Sequence, residues 1–242
     1  MIWIFIALFG LAVGSFANVL IARIPQQKSV IFPASHCPKC STKLKPWHNI
    51  PLLSYIFLKG KCAYCQEKIS IQYPLVELTS ALLFIVIFAK EGFNVDALLL
   101  SFIFVLLLAL SVIDLYYKAV PDSLNLLALT LAIFTGSILE SFEYALLFAG
   151  GFTLLRFYLS YIIQKEAMGE GDIMIAATIG AILGLKLSLV TIFLSALLSL
   201  PVSILTRHKS KELPYIPFLS LALLIVYLFD GYFYNILERL YG

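Results

Sequence analysis

The sequence predicts an all-α polytopic membrane protein, with about eight transmembrane helices and one small cytoplasmic segment that carries four cysteines. Of the 242 residues, 61% are apolar and 13% are charged, whereas soluble domains have about 45–50% apolar and about 25% charged residues. The mean hydropathy is +0.97. Polar residues concentrate between Arg23 and Tyr73, and apolar runs close to the roughly 20 residues of a membrane span fill the remainder. An ordinary soluble fold is therefore excluded.

The apolar runs define the predicted helices in chain order. The first run precedes every positive charge, since Arg23 follows it, so we expect it to be retained as a helix rather than removed as a signal peptide. The third run ends at Asp114, and the fourth begins after Val120-Pro121-Asp122, where proline stops a preceding helix and Asp suits an N-cap. The predicted spans are residues 2–22, 74–89, 95–113, 123–139, 144–163, 173–185, 188–206 and 217–234.

The positive residues predict the orientation of these spans. Lys and Arg concentrate on the cytoplasmic side, and eight spans with the N-terminus outside place most of them in inner loops, including 23–73 and 207–211. The exceptions are Lys90, Lys186 and Arg239 in outer loops and Arg156 inside the fifth helix. We therefore divide the chain into a first transmembrane helix (1–22), a cytoplasmic segment that carries the four cysteines (23–73), and a transmembrane bundle (74–242).

The four cysteines form two C-x2-C pairs, Cys37-Pro-Lys-Cys40 and Cys62-Ala-Tyr-Cys65. Disulfides are rare in a reducing cytosol, and a redox C-x-x-C pair needs a βαβ context that is absent from the pattern. Two such pairs present four thiolates to one tetrahedral ion, so we favour Zn²⁺ over free thiols or redox pairs. Because four thiolates leave no open coordination position, the metal would stabilise the segment and not take part in catalysis.

Two acids at the predicted cytoplasmic edge of the membrane are candidate catalytic residues. Asp114 follows the aliphatic run 98–113, where an ionisable side chain is costly to desolvate. Asp172 ends Gly169-Glu170-Gly171-Asp172, whose glycines permit a substrate strand to approach closely. Each acid has a structural alternative, because Asp172 also suits a helix cap and Asp114 also suits a solvated helix end.

Two carboxylates that lie close together tend to share one proton, because both cannot ionise easily. One member then acts as a base toward water and the other as an acid toward the scissile carbonyl, which is the chemistry of an aspartic protease. The sequence has no G-x-S-x-G or H-E-x-x-H motif of another catalytic class. A transporter or a non-enzymatic membrane scaffold is the alternative, although we find no repeated halves of the transporter type.

Five motifs in order resemble the type IV prepilin peptidases, a family of bacterial membrane aspartyl proteases, over nearly the whole chain. They are Gly14-Ser15-Phe16-Ala17-Asn18-Val19-Leu20-Ile21 with Arg23-Ile24-Pro25, the two cysteine pairs with 49–55 between them, Tyr73-Pro74-Leu75-Val76-Glu77-Leu78, Ile113-Asp114 with Val120-Pro121-Asp122, and Gly169-Glu170-Gly171-Asp172, which fits G-x-G-D. Two positions depart from the family: Glu170 replaces the usual aromatic residue, and Ile216-Pro217-Phe218-Leu219 stands where the family has P-F-G-P-F.

The resemblance implies that Asp114 and Asp172 are the catalytic pair, with Gly169 and Gly171 in support. It implies an enzyme of the bacterial inner membrane that cleaves basic leaders from type IV prepilins and pseudopilins at the cytoplasmic face, in pilus assembly or protein secretion. We expect the lipid bilayer as its other partner, and no nucleic acid. We interpret Asp122 as a supporting residue that caps the fourth helix and fixes the loop carrying Asp114.

Family members with the cysteine segment usually also methylate the new N-terminal amine with S-adenosylmethionine, and the resemblance points to Gly60, Lys61 and Glu77 for this activity. No glycine-rich turn of the dinucleotide type supports it, and Gly10-x3-Gly14 and Gly180-x3-Gly184 instead indicate close helix packing. Lys61 equally suits a solvated loop, and peptidase activity without methylation is the alternative. Arg156 either snorkels to the interface or pairs with an acid.

Overall fold

The structure is a computed structural model that describes residues 1–166, 168–206 and 213–241. The described residues contain two 3-10 helices, Ile24–Gln26 and Pro46–Asn49. Their only strand pairings are isolated bridges between His36 and Lys43 and between Lys61 and Lys68. The prediction of an all-α fold is confirmed. The α-helices are α1 (Ile2–Arg23), α2 (Leu53–Phe57), α3 (Gln72–Glu91), α4 (Val95–Tyr117), α5 (Asp122–Ile133), α6 (Ile138–Ile163), α7 (Glu170–Thr206), α8 (Ile216–Leu228) and α9 (Asp230–Tyr241).

The chain forms two compact units, of which the first is Met1–Ser101. In this unit α1 packs along α3, and two glycines of α1 allow the close approach. A Cβ on Gly10 would lie 2.8 Å from Ala81 Cα, and one on Gly14 would lie 2.7 Å from Ser80 Cβ. The Ser80 hydroxyl also donates to the Gly10 carbonyl at 2.7 Å. The Gly10-x3-Gly14 spacing therefore marks a helix contact, as expected.

The second unit is Phe102–Gly242, in which α7 packs against α5, α6 and α8. In α8 the buried apolar residues recur at intervals of three or four, which places them on one helix face. By contrast, α4 is buried on nearly all sides, since residues 103–107 are all buried. Lipid tails are as apolar as these side chains, so burying the side chains between helices gains little from the hydrophobic effect. The side chains therefore stabilise the unit mainly by close packing. The large core side chains are Ile103, Leu107, Leu110, Ile113, Ile175, Ile179, Ile216, Leu219, Leu223 and Val226.

Five helical segments are long and apolar enough to cross a membrane, as in a multi-pass membrane protein: Ile2–Gln26, Gln72–Glu91, Val95–Tyr117, Ile138–Ile163 and Glu170–Leu205. A sixth crossing results if α8 and α9, bent by 82° at their junction, count as one span. The predicted count of eight is therefore not confirmed for the described residues. The fourth predicted span, 123–139, is the clearest difference, because α5 has only 12 residues and Gly136 follows it with a positive φ.

Helix α7 contains both the sixth and the seventh predicted helices. Its geometry breaks at Gly184 (φ 67°, ψ −172°), a conformation that is essentially restricted to glycine. The Ser188 hydroxyl donates to the Ile179 carbonyl at 3.1 Å, although these residues would be about 13 Å apart along a straight helix. The chain therefore turns back at Gly184, so the segment Glu170–Leu205 counted above consists of two helical parts. A Cβ at Gly184 would lie 3.6 Å from the Tyr144 ring of α6, which is an ordinary contact and not the predicted close approach of two helices. Gly180 does make it, since a Cβ there would lie 2.7 Å from the Tyr144 carbonyl of α6.

Part of the sequence-based topology is not tested by the structure. Positions 207–211, assigned to an inner loop, lie outside the described residues. The orientation of the spans and the division into 1–22, 23–73 and 74–242 stay predictions.

Candidate functional site

Asp114 lies in the last turn of α4, which continues to Tyr117 instead of ending at residue 113. The residue is buried, with 7% of its surface exposed, so the solvated-end alternative does not describe it. Its Oδ2 accepts a hydrogen bond from the Ile216 backbone N–H at 3.2 Å. The Tyr215 N–H and the Lys118 side chain also interact with this carboxyl. The carboxylate thus faces the N-terminus of α8, where free N–H groups favour a negative charge.

The start of α8 is a part of the site that sequence reasoning missed. Residues 216–219 correspond to the family's P-F-G-P-F segment, and the departure from that motif was the only signal in the sequence. The contribution of Ile216 is a backbone N–H, which every residue except proline carries. Side-chain identity therefore could not reveal it.

Asp172 is the third residue of α7 and is half-buried. Its carboxyl accepts a hydrogen bond from the Gly169 backbone N–H, as the acid of a capping box does. The capping interpretation is therefore also satisfied. In addition, this carboxyl interacts electrostatically with that of Asp114. The fold brings the two predicted acids together beside the first turns of α7 and α8.

The two glycines of the G-x-G-D turn have different environments. Gly169 is exposed, whereas Gly171 is buried. A Cβ on Gly171 would lie 2.7 Å from Val120 Cβ, so the residue before Pro121 packs directly on the turn. The Asn125 side-chain amide donates to the Gly171 carbonyl at 2.9 Å. Gly171 therefore packs against the α4–α5 loop. Of the two glycines, only Gly169 has the exposure that the predicted approach of a substrate strand requires.

Arg156 pairs with acids on both sides of the loop that precedes Asp172. Its Nη1 lies 3.1 Å from Glu170 Oε1, and its Nη2 lies 3.7 Å from Glu166 Oε1. The structure thus shows Arg156 paired with acids, which was one of its two predicted roles. Both glutamates are largely exposed, so solvent screening keeps each pair weak, within about 0–1 kcal/mol.

Asp122 does not have the predicted position at the helix start. Pro121 occupies the N-cap of α5 with no side-chain capping bond, and Asp122 is the first helical residue. An acid in the first turn still interacts favourably with the helix dipole. The predicted capping bond is therefore wrong, and Asp122 is an exposed residue on the element that packs against α7.

The four cysteines converge in a candidate metal site. All four are free thiols, and their Sγ atoms lie within 4.8 Å of one another. The Cys37 and Cys65 sulfurs are 3.8 Å apart, far beyond the roughly 2.05 Å of a disulfide. The cysteines of the two C-x2-C turns therefore form one cluster of four sulfurs.

The two turns also have the same backbone design. In the first, the Cys37 N–H donates to Thr42 and the Ser41 N–H donates to Cys37; in the second, Cys62 and Gln66 repeat these bonds with Glu67 and Cys62. Ser41 and Gln66 both have positive φ values. This tight turn aims both sulfurs of a pair in one direction.

Hydrogen bonds inside the turns favour thiolates at two of the cysteines. The side chain and backbone of Thr42 lower the pKa of Cys40 to about 6. Backbone bonds at Cys65 and Tyr64 lower the pKa of Cys62. A backbone bond at Glu67 acts in the same direction on Cys65, but desolvation and the neighbouring sulfurs raise its pKa to about 12. The neighbouring sulfurs and desolvation thus oppose a further negative charge in the cluster. A bound cation would offset that charge and favour the thiolate form of all four cysteines.

The three residues that the resemblance linked to methylation lie around the short helix α2. Glu77 is buried, with 7% exposed; its Oε2 accepts the Leu52 N–H at 2.7 Å, and its carboxyl also bonds Ser15. Gly60 is buried against Tyr55, whose ring a Cβ would approach to 3.0 Å. Lys61 is exposed. Glu77 and Gly60 thus have packing roles in the first unit, where Glu77 fixes the start of α2.

Comparison with known proteins places both units in one family. The model of the bacterial peptidase A24 N-terminal domain matches residues 8–91, and that of the type IV leader peptidase family matches residues 101–204. No solved structure shows significant similarity.

Several relatives match along most of their length. A prepilin leader peptidase/N-methyltransferase of Neisseria gonorrhoeae is 32% identical over 91% of this chain and 88% of its own. Proteins of the same name match at 34% identity in Pseudomonas aeruginosa, over 89% and 86% of the two chains, and at 33% in Bacillus subtilis, over 92% of both. With two buried or half-buried aspartates together in the matched region and a four-cysteine cluster in the N-terminal one, the chain belongs to the type IV leader peptidase family.

Proposed function

We propose that this protein cleaves the leader peptides of type IV prepilins and pseudopilins, with Asp114 and Asp172 as its catalytic pair. The observation that carries the proposal is the meeting of these two carboxyls, each beside the N-terminus of a different helix. Membership of the leader peptidase family and the names of the relatives support the substrate class.

In the proposed reaction, the ionised member of the pair removes a proton from water as the hydroxyl oxygen bonds to the scissile carbonyl carbon. The protonated member hydrogen-bonds to the carbonyl oxygen and stabilises the negative charge that develops there. The C–N bond then breaks, and the departing amine receives a proton from the pair. Two carboxyls sharing one proton supply both functions, so cleavage requires both residues.

The substrate class fits a site at the membrane edge. A prepilin has a hydrophobic helix that can lodge among the spans, while its basic leader stays in the cytoplasm. We propose the bacterial inner membrane as the location, with the N-terminus outside and both the catalytic pair and the cysteine segment on the cytoplasmic side. The distribution of Lys and Arg supports this orientation.

Substitution of the two acids tests the proposal. Asp114→Asn and Asp172→Asn each remove a titrating group but keep the side-chain volume, so each variant should insert in the membrane and lose cleavage of a purified prepilin. Asp122→Asn is the matched control, because Asp122 is exposed and makes no capping bond; it should keep much of the activity. Substantial cleavage by either of the first two variants, or loss confined to Asp122→Asn, would falsify the assignment.

We further propose that the protein methylates the N-terminal amine released by cleavage, because the relatives carry this activity in their names and the N-terminal family model matches. S-adenosylmethionine would supply the electrophilic methyl group. Gly60, Lys61 and Glu77 remain the candidate residues for this activity, and we assign no individual step of the transfer to them. Incubation of the purified protein with prepilin should give a product heavier by one methyl group only when S-adenosylmethionine is present.

Zn²⁺ is the proposed ion of the cysteine cluster. Zinc–sulfur bonds of about 2.3 Å in tetrahedral geometry place the sulfurs about 3.8 Å apart, which agrees with the 3.8 Å between Cys37 and Cys65. The purified protein should contain about one zinc per chain, and Cys37→Ser with Cys40→Ser should remove it and make the segment more sensitive to proteolysis. Metal analysis that finds four reactive thiols and no zinc contradicts the proposal.

A further inference from the structure

Asn125 is a buried polar side chain that the proposed chemistry does not use. It lies in the first turns of α5 with 0% of its surface exposed. Its amide donates to the Gly171 carbonyl at 2.9 Å, but its Oδ1 has no hydrogen-bond partner among the described residues. A buried acceptor without a partner destabilises a fold, and an apolar side chain of similar volume avoids that cost. Stability alone therefore does not explain an asparagine here.

The bond that Asn125 makes is directed at the turn that carries Asp172. Gly171 precedes Asp172. Because the peptide bond is planar, the orientation of the Gly171 carbonyl also fixes the direction of the Asp172 N–H and Cα. Within α7 that carbonyl is an ordinary helix acceptor. The Asn125 amide adds a second, lateral hydrogen bond that holds the first turn of α7 against α5.

The same short segment also leads back to Asp114. Asp114 lies near the end of α4, and six residues later Val120 packs on Gly171, where a Cβ would lie only 2.7 Å away. Val120 thus limits how closely the turn approaches, and the Asn125 bond keeps it from moving away. The distance between the two carboxyls therefore depends on contacts made by the α4–α5 loop and the start of α5.

We infer that Asn125 is a positioning residue, which holds the Gly171 carbonyl and thereby keeps Asp172 at a working distance from Asp114. This inference rests on the proposed peptidase function. Asn125 touches neither substrate nor the reacting atoms in this role. Loss of its bond should reduce the rate of the chemical step and leave binding of the substrate helix unchanged, since a misplacement of about 1 Å can cost about 10²-fold in rate.

Asn125→Leu tests the inference, because leucine has a similar volume and no amide. We expect kcat for prepilin cleavage to fall at least tenfold, KM to stay within twofold, and the thermal midpoint to be unchanged or higher. The matched control is Asn18→Leu. Asn18 is also buried, also has an unpartnered Oδ1, and donates to the Tyr73 carbonyl in the first unit. It should keep its kcat.

The outcomes separate this inference from the function it rests on. If the wild-type protein does not cleave prepilin, the proposed function fails. If the wild type cleaves and Asn125→Leu retains its kcat, or if Asn18→Leu loses as much, the positioning role is wrong. Should Asn125→Leu not fold, Asn125→Ser replaces it, since its hydroxyl is too short to reach the Gly171 carbonyl; a normal kcat per folded molecule in that variant also overturns the inference.

Discussion

Gly171→Ala adds one methyl group where the turn that carries Asp172 packs against the α4–α5 loop. The new Cβ would lie 2.7 Å from Val120 Cβ and Cγ2 and 2.9 Å from Cγ1, whereas carbon atoms pack at about 3.5–4.0 Å. The turn and the α4–α5 loop must therefore separate by about 0.8 Å or more. Overpacking of this kind costs about 1–3 kcal/mol in stability, and a shift of about 1 Å between reacting groups can cost about 10²-fold in rate.

We expect Gly171→Ala to lower kcat for prepilin cleavage by about one to two orders of magnitude in a detergent assay that measures product mass over time. Gly150→Ala is the control, because a Cβ on that helical glycine of α6 has nothing within 4 Å. It should cleave normally and be slightly more stable. If Gly171→Ala retains more than half of the wild-type rate while folded, the contact between Val120 and the turn does not set the geometry of the pair.

Three further predictions concern other contacts. Arg156→Glu should slow cleavage up to about fivefold at low salt, and adding Glu170→Arg should restore the rate; no rescue would mean that the ion pair does not steady the turn. Gly14→Leu should separate α1 from α3 and reduce the stability by about 1–3 kcal/mol or more through overpacking. The thermal midpoint should therefore fall, and an unchanged midpoint contradicts that contact. Gly184→Ala should lower the free energy of unfolding by about 1–3 kcal/mol. An unchanged free energy of unfolding would mean that the chain does not turn at Gly184.

The cysteine cluster could be predicted almost completely from sequence, and the meeting of the two candidate acids only in part. Spacing within each C-x2-C turn is local, so it reveals two sulfurs aimed together, and four cysteines leave one way to join two pairs. The acids Asp114 and Asp172 were also chosen from local context. Their meeting was a hypothesis until the packing of α7 against α5 and α8 supported it.

Several positions differ from their interpretation because a spacing or a residue preference does not determine the local backbone geometry. Gly184 matched a helix-packing spacing, but only the Ser188 to Ile179 contact reveals a turn. Asp122 matched an N-cap preference, which identifies the helix start to within a residue or so. The eight-span count is not confirmed for the described residues, since hydropathy alone does not tell a short apolar helix or a bent pair from a full crossing.

By itself the sequence determined the membrane class, the cysteine site and the two acids, because apolar content and short-range spacing act through local chemistry. Only the tertiary structure decided that the Ile216 backbone faces Asp114, that Val120 and Asn125 hold the turn of Asp172, and that Arg156 pairs with Glu170. These contacts join residues far apart in the chain and use backbone N–H and C=O groups that nearly every residue possesses. Their positions follow from how the helices pack, which no local pattern records.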